Sequence, residues 1–494
     1  MNLILQIVIP SLVAFFAVNW SYFKILKIAK IKKIVDTPDA RKLQRAPVPI
    51  LGGIAVFFGM VAALLVAAAI QPWLHAAPVE GIMPVICAAI LMLYIGAMDD
   101  MVGVSALNRL VIETLTILGV VFATGYCVDN FDGMWGVEQI SWYLAVPISV
   151  IGGVGIINSI NMIDGVNGLS SGLCITCCIL MGAAFIVSGD ILNAMLAFVV
   201  IAALLPFFFH NVFGNRSRMF IGDAGTMMMG VILTWFVFVL VNADTALWER
   251  ALGHKVNLIA MVLAILSVPV FDTLRVIILR ISRGGSPFRP DKTHLHHIFI
   301  RLGVSHLITT IVEILLDIII VVGWVLLVCS GVPLEWQLYW IIALSLFVVW
   351  GTYFWLHWHE EHHTERMHRL ARLSTKTHIS ETRWWKRLEH FLDGPVAAHD
   401  TEDKEPSKPV LPVEAFYHFN TIDTDDLKEQ DRKKVYDYMR GKSEVYIDDV
   451  KKHSGANIFR VDAIVTEGIL DGFITIVKEG VWGAPMIVSF KEDH

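Results

Sequence analysis

Eleven apolar runs constrain this chain more than any other feature. Each is about 17 to 23 residues long, enough for a helix rising 1.5 Å per residue to cross a hydrocarbon core of ~30 Å. Their centres lie near Phe15, Val61, Ile90, Leu118, Val150, Leu180, Val199, Val231, Leu266, Ile319 and Leu346. No connection between them has room for an additional domain, so residues 1–356 are expected to form an all-α polytopic membrane domain of about eleven transmembrane helices. Composition agrees: 55 % of the residues are hydrophobic and 17 % charged, where an ordinary globular domain has roughly a quarter charged. The first run has no basic segment before it and no small-residue cleavage site, so it reads as a retained span rather than a signal peptide. The cysteine pair in "LCITCCIL", Cys174 and Cys177, has no second pair near it and reads as small apolar filler within a helix.

Basic residues orient the spans. Connections after odd-numbered spans carry sixteen Lys and Arg, whereas those after even-numbered spans carry only Arg250 and Lys255. The odd side is therefore expected to be cytoplasmic, with the N-terminus outside and the C-terminal tail inside. From about His357 the chain becomes polar. Residues 357–412 read as a cytoplasmic helix and a linker, "DGPVAAHDTEDKEPSKPVLP", in which proline and acidic residues resist packing. "HWHEEHHTERMH" reads as a solvated helix leaving the membrane rather than a metal site. Residues 413–494 read as a small soluble α+β domain, two helical stretches followed by strands in "ILDGFITIVKEG" and "GAPMIVSFKE", a winged-helix-like pattern. Its charge is too mixed for a nucleic-acid face, and a net charge of −6 gives no such partner either.

Polar clusters gather after odd-numbered spans only. The third span ends in Asp99 and Asp100, and Arg109 follows. The fifth ends in "NSINMIDGVNGLSSG", with Asn158, Asn161, Asp164 and Asn167. The seventh leads through Asn211 to Asp223 in "FIGDAG", where Asp223 is also placed to cap the next helix. The ninth leads through Asp272 and Arg275, which read as a structural pair, to "SPFRPDKTHLHH", with Asp291, Lys292, His294, His296 and His297. Charged groups at a membrane boundary are costly and tend to be functional. Several carboxylates drawn to one place raise one another's pKa unless a cation intervenes. Mg²⁺ suits that role, since it takes hard oxygen ligands and bridges one or two carboxylates to substrate phosphates; Mn²⁺ is a substitute of the same kind. Nearby His, Lys and Arg donors would grip phosphate oxygens. The chemistry expected is metal-assisted phosphoryl transfer beside the cytoplasmic leaflet.

"GAMDDMVGVSALNRL", "NSINMIDGVNGL", "FIGDAG" and "SPFRPDKTHLHH" resemble, in this order, the motifs of the polyprenyl-phosphate N-acetylhexosamine-1-phosphate transferases (the MraY/WecA superfamily). The likeness covers roughly residues 1–330. "PDKTHLHH" and the eleven spans look like the WecA/TagO branch. The resemblance implies transfer of N-acetylhexosamine-1-phosphate, usually from UDP-GlcNAc, to undecaprenyl phosphate with release of UMP, starting a lipid-linked cell-envelope glycan at the bacterial inner membrane. It implies catalytic roles for Asp99, Asp100 and Asp164, and metal ligands among Asp223, Asp100 and Asp164. Substrate contacts are implied for Asn158, Asn161, Asn167, Asn211, Arg109, Asp291, Lys292, His294, His296 and His297. A homodimer is compatible with it.

Three positions depart from the family pattern: Arg109 where lysine is common, Asn167 where aspartate is frequent, and Gln44 where histidine is typical. The sequence leaves both direct attack by the lipid phosphate and a covalent intermediate on Asp99 or Asp100 open. Two other classes compete. An ion-coupled transporter would place acids at mid-span in broken helices, and the first nine spans have none there. An inactive membrane scaffold presenting the C-terminal domain would not need the motif residues.

Overall fold

The structure, a computed structural model, describes residues 2–36, 47–74, 78–284, 293–362, 382–402, 425–440, 442, 444–456, 461, 464–465, 474–478 and 487–490. It forms two compact units, residues 1–402 and 403–494.

In the first unit the spans are α1 (Asn2–Ile31), α2 (Gly52–Leu74), α3 (Met83–Val102), α4 (Ala106–Thr124), α5 (Trp142–Met162), α6 (Leu169–Val187), α7 (Ile191–Phe213) and α8 (Gly222–Val241). A short helix α9 (Ala246–Leu252) precedes a helix pair, α10 (Leu258–Ile265) and α11 (Ser267–Ser282), followed by α12 (Leu295–Arg301) and α13 (His306–Cys329). The last span joins α14 (Leu334–Ser345) to α15 (Gly351–Glu361) through one π-helical turn. Among the described residues ten helices are long and apolar enough to cross a membrane, and the bent α10–α11 pair makes an eleventh if counted as one span. The protein is a multi-pass membrane protein. Ten of the eleven expected centres fall on these elements, and the other, Leu266, falls at the break between α10 and α11.

The ninth span is broken rather than straight, with a 76° bend at Leu266. Pro269 accounts for it, because its ring clashes with the Ile265 carbonyl four residues back and it brings no N–H to that carbonyl. Both sides of the break find partners in neighbouring helices. The Ile265 carbonyl accepts from Cys177 Sγ, and Asp317 Oδ1, from the middle of α13, accepts from Ser267 Oγ at 2.9 Å and from the Val268 N–H at 3.2 Å. A buried mid-span acid beside a broken helix is what a transporter would show, yet this one is engaged as a cap.

The core is organised around α8, which is buried from Ala224 to Val241 against α2, α3, α5, α6 and α10. Close approach depends on small residues. A Cβ placed on Gly96 of α3 would overlap the backbone of Asp223 and Ala224. Gly96→Ala is therefore expected to force α3 away from the first turn of α8. Overpacking of this kind costs about 1–3 kcal/mol, and the shift should cut turnover about tenfold or more. Gly119→Ala, where the added methyl meets nothing within 4 Å, is the control.

Before the second unit comes α16 (Arg383–Glu402). Residues 393–402, whose composition suggested a linker, are helical. Leu392 and Val396 are buried, and Asp393 is bonded to the loop after α7.

The second unit contains α17 (Asp425–Met439), β3 (Val445–Tyr446), α18 (Ile447–His453), β4 (Ile474–Lys478) and β5 (Ile487–Phe490). The first unit supplies β1 (Val35–Asp36) and β2 (Val48–Pro49), an antiparallel pair. In the second unit the sheet order is β3–β5–β4, antiparallel throughout, so the first strand pairs with the last. This agrees with the small α+β unit expected, over a core that includes Val435, Met439, Val450 and Val488.

Candidate active site

The ends of α3, α4, α5 and α8 meet at one face of the first unit. Asp99, in the last turn of α3, accepts from the Val104 N–H at 2.7 Å through Oδ1, and from Arg109 Nη1 at 3.2 Å through Oδ2. Asp100 turns toward α8. Its two oxygens accept the backbone N–H groups of Asp223 at 3.0 Å and Ala224 at 3.2 Å. The cap of α8 thus comes from another helix, correcting the expectation that Asp223 caps its own. Gly222 makes this possible: its φ is +73°, and a Cβ there would lie 2.5 Å from Asp100 Oδ2.

Arg109 is the hub. Its Nε donates to Glu113 Oε1 at 3.1 Å, its Nη2 to Asn158 Oδ1 at 3.2 Å and Asn161 Oδ1 at 2.7 Å, and its Nη1 lies 3.7 Å from Asp223 Oδ2. Asn161 Nδ2 in turn donates to Asp223 Oδ1 at 2.8 Å and Thr226 Oγ1 at 2.9 Å, and Asn158 Nδ2 donates to Glu113 Oε2 at 2.5 Å. Asn158 and Asn161 stand three residues apart on one face of α5, which is how both reach the same guanidinium. Asp223 lies within hydrogen-bond reach of Asp99 and its side chain is 35 % exposed, against 15 % for Asp99.

Glu113 and Thr226 belong to this network and were not among the expected residues. Glu113 had a signal in the sequence, an acid four residues after Arg109 in an otherwise apolar helix, the spacing of a helical ion pair. Thr226 had none, since a threonine in a buried helix usually bonds its own backbone, as this one also does to Gly222 O.

A second group lies in the loop between α5 and α6. Asp164 Oδ1 accepts from Ser170 Oγ at 2.6 Å. Burial, reinforced by the charges of Asp223 and Asp36 and opposed by the Ser170 hydroxyl, pushes its carboxyl up to about 7. The histidine segment comes to the same loop, since a Cβ on Gly165 would sit 3.0 Å from His296 Nε2 and 3.5 Å from His297 Cε1. His296 is buried, and neither of its ring nitrogens has a hydrogen-bond partner. Burial, with His297 and His294 beside it, lowers its pKa well below the usual histidine value and keeps the ring neutral. His294 is held differently: its Nδ1 pairs with Asp272 Oδ2 at 2.8 Å. Asp272 also accepts from Arg275 at 2.6 Å and from the Leu295 N–H, while Arg275 donates to Thr293 O and stacks over the Tyr353 ring. The pair expected to be structural is the anchor of the histidine segment.

Asn211 and Asn167 are not open in the same way. Asn211 is buried, accepts from the Gly168 N–H at 2.6 Å and donates to Met219 O at 2.8 Å, so its amide ties two loops together. The Asn167 backbone bonds His306 and Thr310 of α13. Asp291, Lys292 and Gln44 lie outside the described residues.

The first cluster brings three carboxylates (Asp99, Glu113, Asp223) to one guanidinium, and a fourth, Asp100, stands beside them on the backbone of Asp223. A further cation fits this donor set. Among the described residues no group of three or more His, Cys, Asp or Glu side chains is arranged to enclose a metal ion, but Mg²⁺ does not need one, as it commonly takes one or two carboxylates and completes its shell with water and phosphate. Asp99 and Asp223, adjacent and with Asp223 partly open, offer that.

The residues between Ile82 and Val241, from the start of α3 to the end of α8, match the model of glycosyl transferase family 4. Over these residues the chain is similar to that family. The matched region holds Asp99, Asp100, Arg109, Asn158, Asn161, Asp164 and Asp223, the residues that the fold brings to one face. Among proteins similar to this chain, one of Bacillus subtilis (strain 168) named as a probable undecaprenyl-phosphate N-acetylglucosaminyl 1-phosphate transferase is 28 % identical over 317 residues, 64 % of this chain and 83 % of that protein. The undecaprenyl-phosphate alpha-N-acetylglucosaminyl 1-phosphate transferase of Yersinia pestis is 26 % identical over 374 residues, 74 % of this chain and 96 % of its own. That of Escherichia coli (strain K12) is 29 % identical over 284 residues, 56 % and 72 %. The resemblance to the WecA/TagO branch agrees with these names.

Proposed function

We propose that this protein transfers GlcNAc-1-phosphate from UDP-GlcNAc to undecaprenyl phosphate, releasing UMP, with Mg²⁺ at the cytoplasmic face of a bacterial inner membrane. One observation carries the reading: Asp99, Arg109, Asn161 and Asp223, which come from four different spans, form a single bonded cluster. The orientation rests on the excess of Lys and Arg after odd-numbered spans. In this reading residues 1–356 are the transferase domain, and residues 413–494 are a separate cytoplasmic domain.

Mg²⁺ held by Asp223 with Asp99 or Asp164 would neutralise the diphosphate. The protein's own residues do the rest. Arg109 fixes the Asp99 carboxylate beside Asp223, Asp100 fixes the first turn of α8, and the histidine segment, anchored by Asp272, stands beside Asp164 to contact the diphosphate and sugar. The lipid phosphate oxygen attacks the sugar-bearing phosphorus in line, the diphosphate bond breaks and UMP leaves. A lipid phosphate is largely ionised at neutral pH, so positioning matters more than a strong base.

Direct attack is favoured over a covalent intermediate because the oxygens of Asp99 and Asp100 are engaged, by Val104 and Arg109 and by the first turn of α8. A carboxylate so held is a poor nucleophile. UMP release is therefore expected only when acceptor lipid is present. Rapid-quench mixing with UDP-GlcNAc alone that gives one UMP per protein would overturn direct attack. The reading itself is tested by incubating purified protein with UDP-GlcNAc, undecaprenyl phosphate and Mg²⁺. No UMP with any UDP-N-acetylhexosamine would sink it.

A further inference from the structure

The loop between α7 and α8, residues 214–221, delivers Asp223 to the cluster. Its far half is pinned by neighbours already described in the fold: Asn211 bonds Met219 O, the Phe220 N–H donates to Pro49 O at 2.7 Å, and the N–H groups of Gly52 and Gly53 donate to Phe220 O and Ile221 O. Its near half is pinned by a residue more than 170 positions downstream. Asp393, on α16, accepts from the N–H groups of Asn215 at 3.2 Å, Arg216 at 2.9 Å and Ser217 at 2.9 Å, and from Ser217 Oγ at 2.7 Å.

Three consecutive backbone N–H groups and a hydroxyl thus close on one carboxylate, the arrangement in which hydrogen bonds to an anion are strongest. Burial alone would raise the Asp393 pKa, but these donors outweigh it and hold the carboxyl below its usual value. The helix that carries it is seated independently, since Trp385, Leu388 and Leu392 pack with Phe208, Val212, Phe213 and Leu307. Ser217 is fully buried. Its carbonyl accepts from Tyr22 at 2.8 Å and its hydroxyl faces His210 Nδ1 at 3.2 Å. From Ser217 only five residues lead to Asp223, and Ser217 is held on one side by α1 and α7 and on the other by Asp393.

We propose that Asp393 is a positioning residue for the transfer reaction: by fixing residues 215–217 it sets the first turn of α8, and with it the Asp223 carboxylate. Activity thereby depends on a helix outside the membrane spans, the last element before the second unit. The activity part rests on the proposed function.

The test combines hydrogen exchange with Mg²⁺ titration of the full-length protein and of Asp393→Asn. That variant keeps one acceptor oxygen and turns an NH₂ group against the backbone donors. Exchange is expected to speed up at the amides of residues 215–223, not only at the three that lose the carboxylate. The Mg²⁺ concentration for half-maximal UMP release should rise about tenfold, a fair share of what a multiply bonded carboxylate contributes, while most of the rate returns at saturating Mg²⁺. Ser217→Ala, which removes one donor and leaves the carboxylate, should give a smaller shift of the same kind and serves if Asp393→Asn does not fold.

Faster exchange confined to residues 215–217, or a lower rate with an unmoved Mg²⁺ dependence, would reduce Asp393 to a packing role and overturn the proposal. If the unaltered protein releases no UMP, the proposed function fails, and exchange at residues 218–223 still decides whether Asp393 controls that turn.

Discussion

Asp223→Asn lowers UMP release by about a hundredfold or more, the usual size of losing a charge that acts on the reacting phosphate, while the protein still folds. The structure separates the two outcomes. The backbone N–H of Asp223, which Asp100 caps, is untouched by the substitution. An asparagine oxygen can still accept from Asn161 Nδ2, as Asp223 Oδ1 does now at 2.8 Å. What is lost is the negative charge at Oδ2, the edge that stands open 3.7 Å from Arg109. Thermal unfolding in detergent should move little, and Mg²⁺ should stabilise the variant less than it stabilises the unaltered protein. Unchanged turnover would remove Asp223 from the metal site.

Arg109→Ala is expected to fail in a different way, by loosening the protein as well as stopping the reaction. The guanidinium balances Glu113, whose side chain is fully buried, and lies against Asp99 and Asp223. Removing one partner of a buried ion pair costs about 3–5 kcal/mol, because the charge left behind has no water to turn to. Two like charges would also remain at the mouth of the cluster. Adding Glu113→Gln should restore more than half of that loss, since a neutral amide tolerates burial and can still accept from Asn158. Activity should not return, because Asn161 and Asp99 would remain without their common donor. Melting temperatures of the two single variants and the double variant close a thermodynamic cycle. A double variant no more stable than Arg109→Ala would show that Glu113 is not what Arg109 serves.

The spans could be read from the sequence because apolar length is a local property. The break in the ninth span was less visible: Pro269 signals it, but the partners that make it tolerable, Cys177 and Asp317, come from α6 and α13. The same division runs through the site. Aspartates and asparagines beside glycines stand out against an apolar background, and the family resemblance joined them into one reaction. Their division of labour depends on which way each side chain turns, as when Asp100 faces the first turn of α8 and Asp99 faces Arg109. Asn211 looks like a ligand for substrate in a motif and is occupied with two loops in the fold. Asp393 stood in a stretch whose composition suggests a linker, and only its distant partners, Asn215 to Ser217, reveal what it holds.

The enclosure of α8 has a consequence for how the protein is made. Four of the helices that surround it, α2, α3, α5 and α6, precede it in the chain. They emerge from the ribosome first and form a socket that lacks its plug. Until α8 arrives, lipid must fill that socket, and Asp100 has no helix end to hold. Nascent chains stopped before Gly222 should therefore remain loose and protease-sensitive at this face, and the arrival of one helix should complete it.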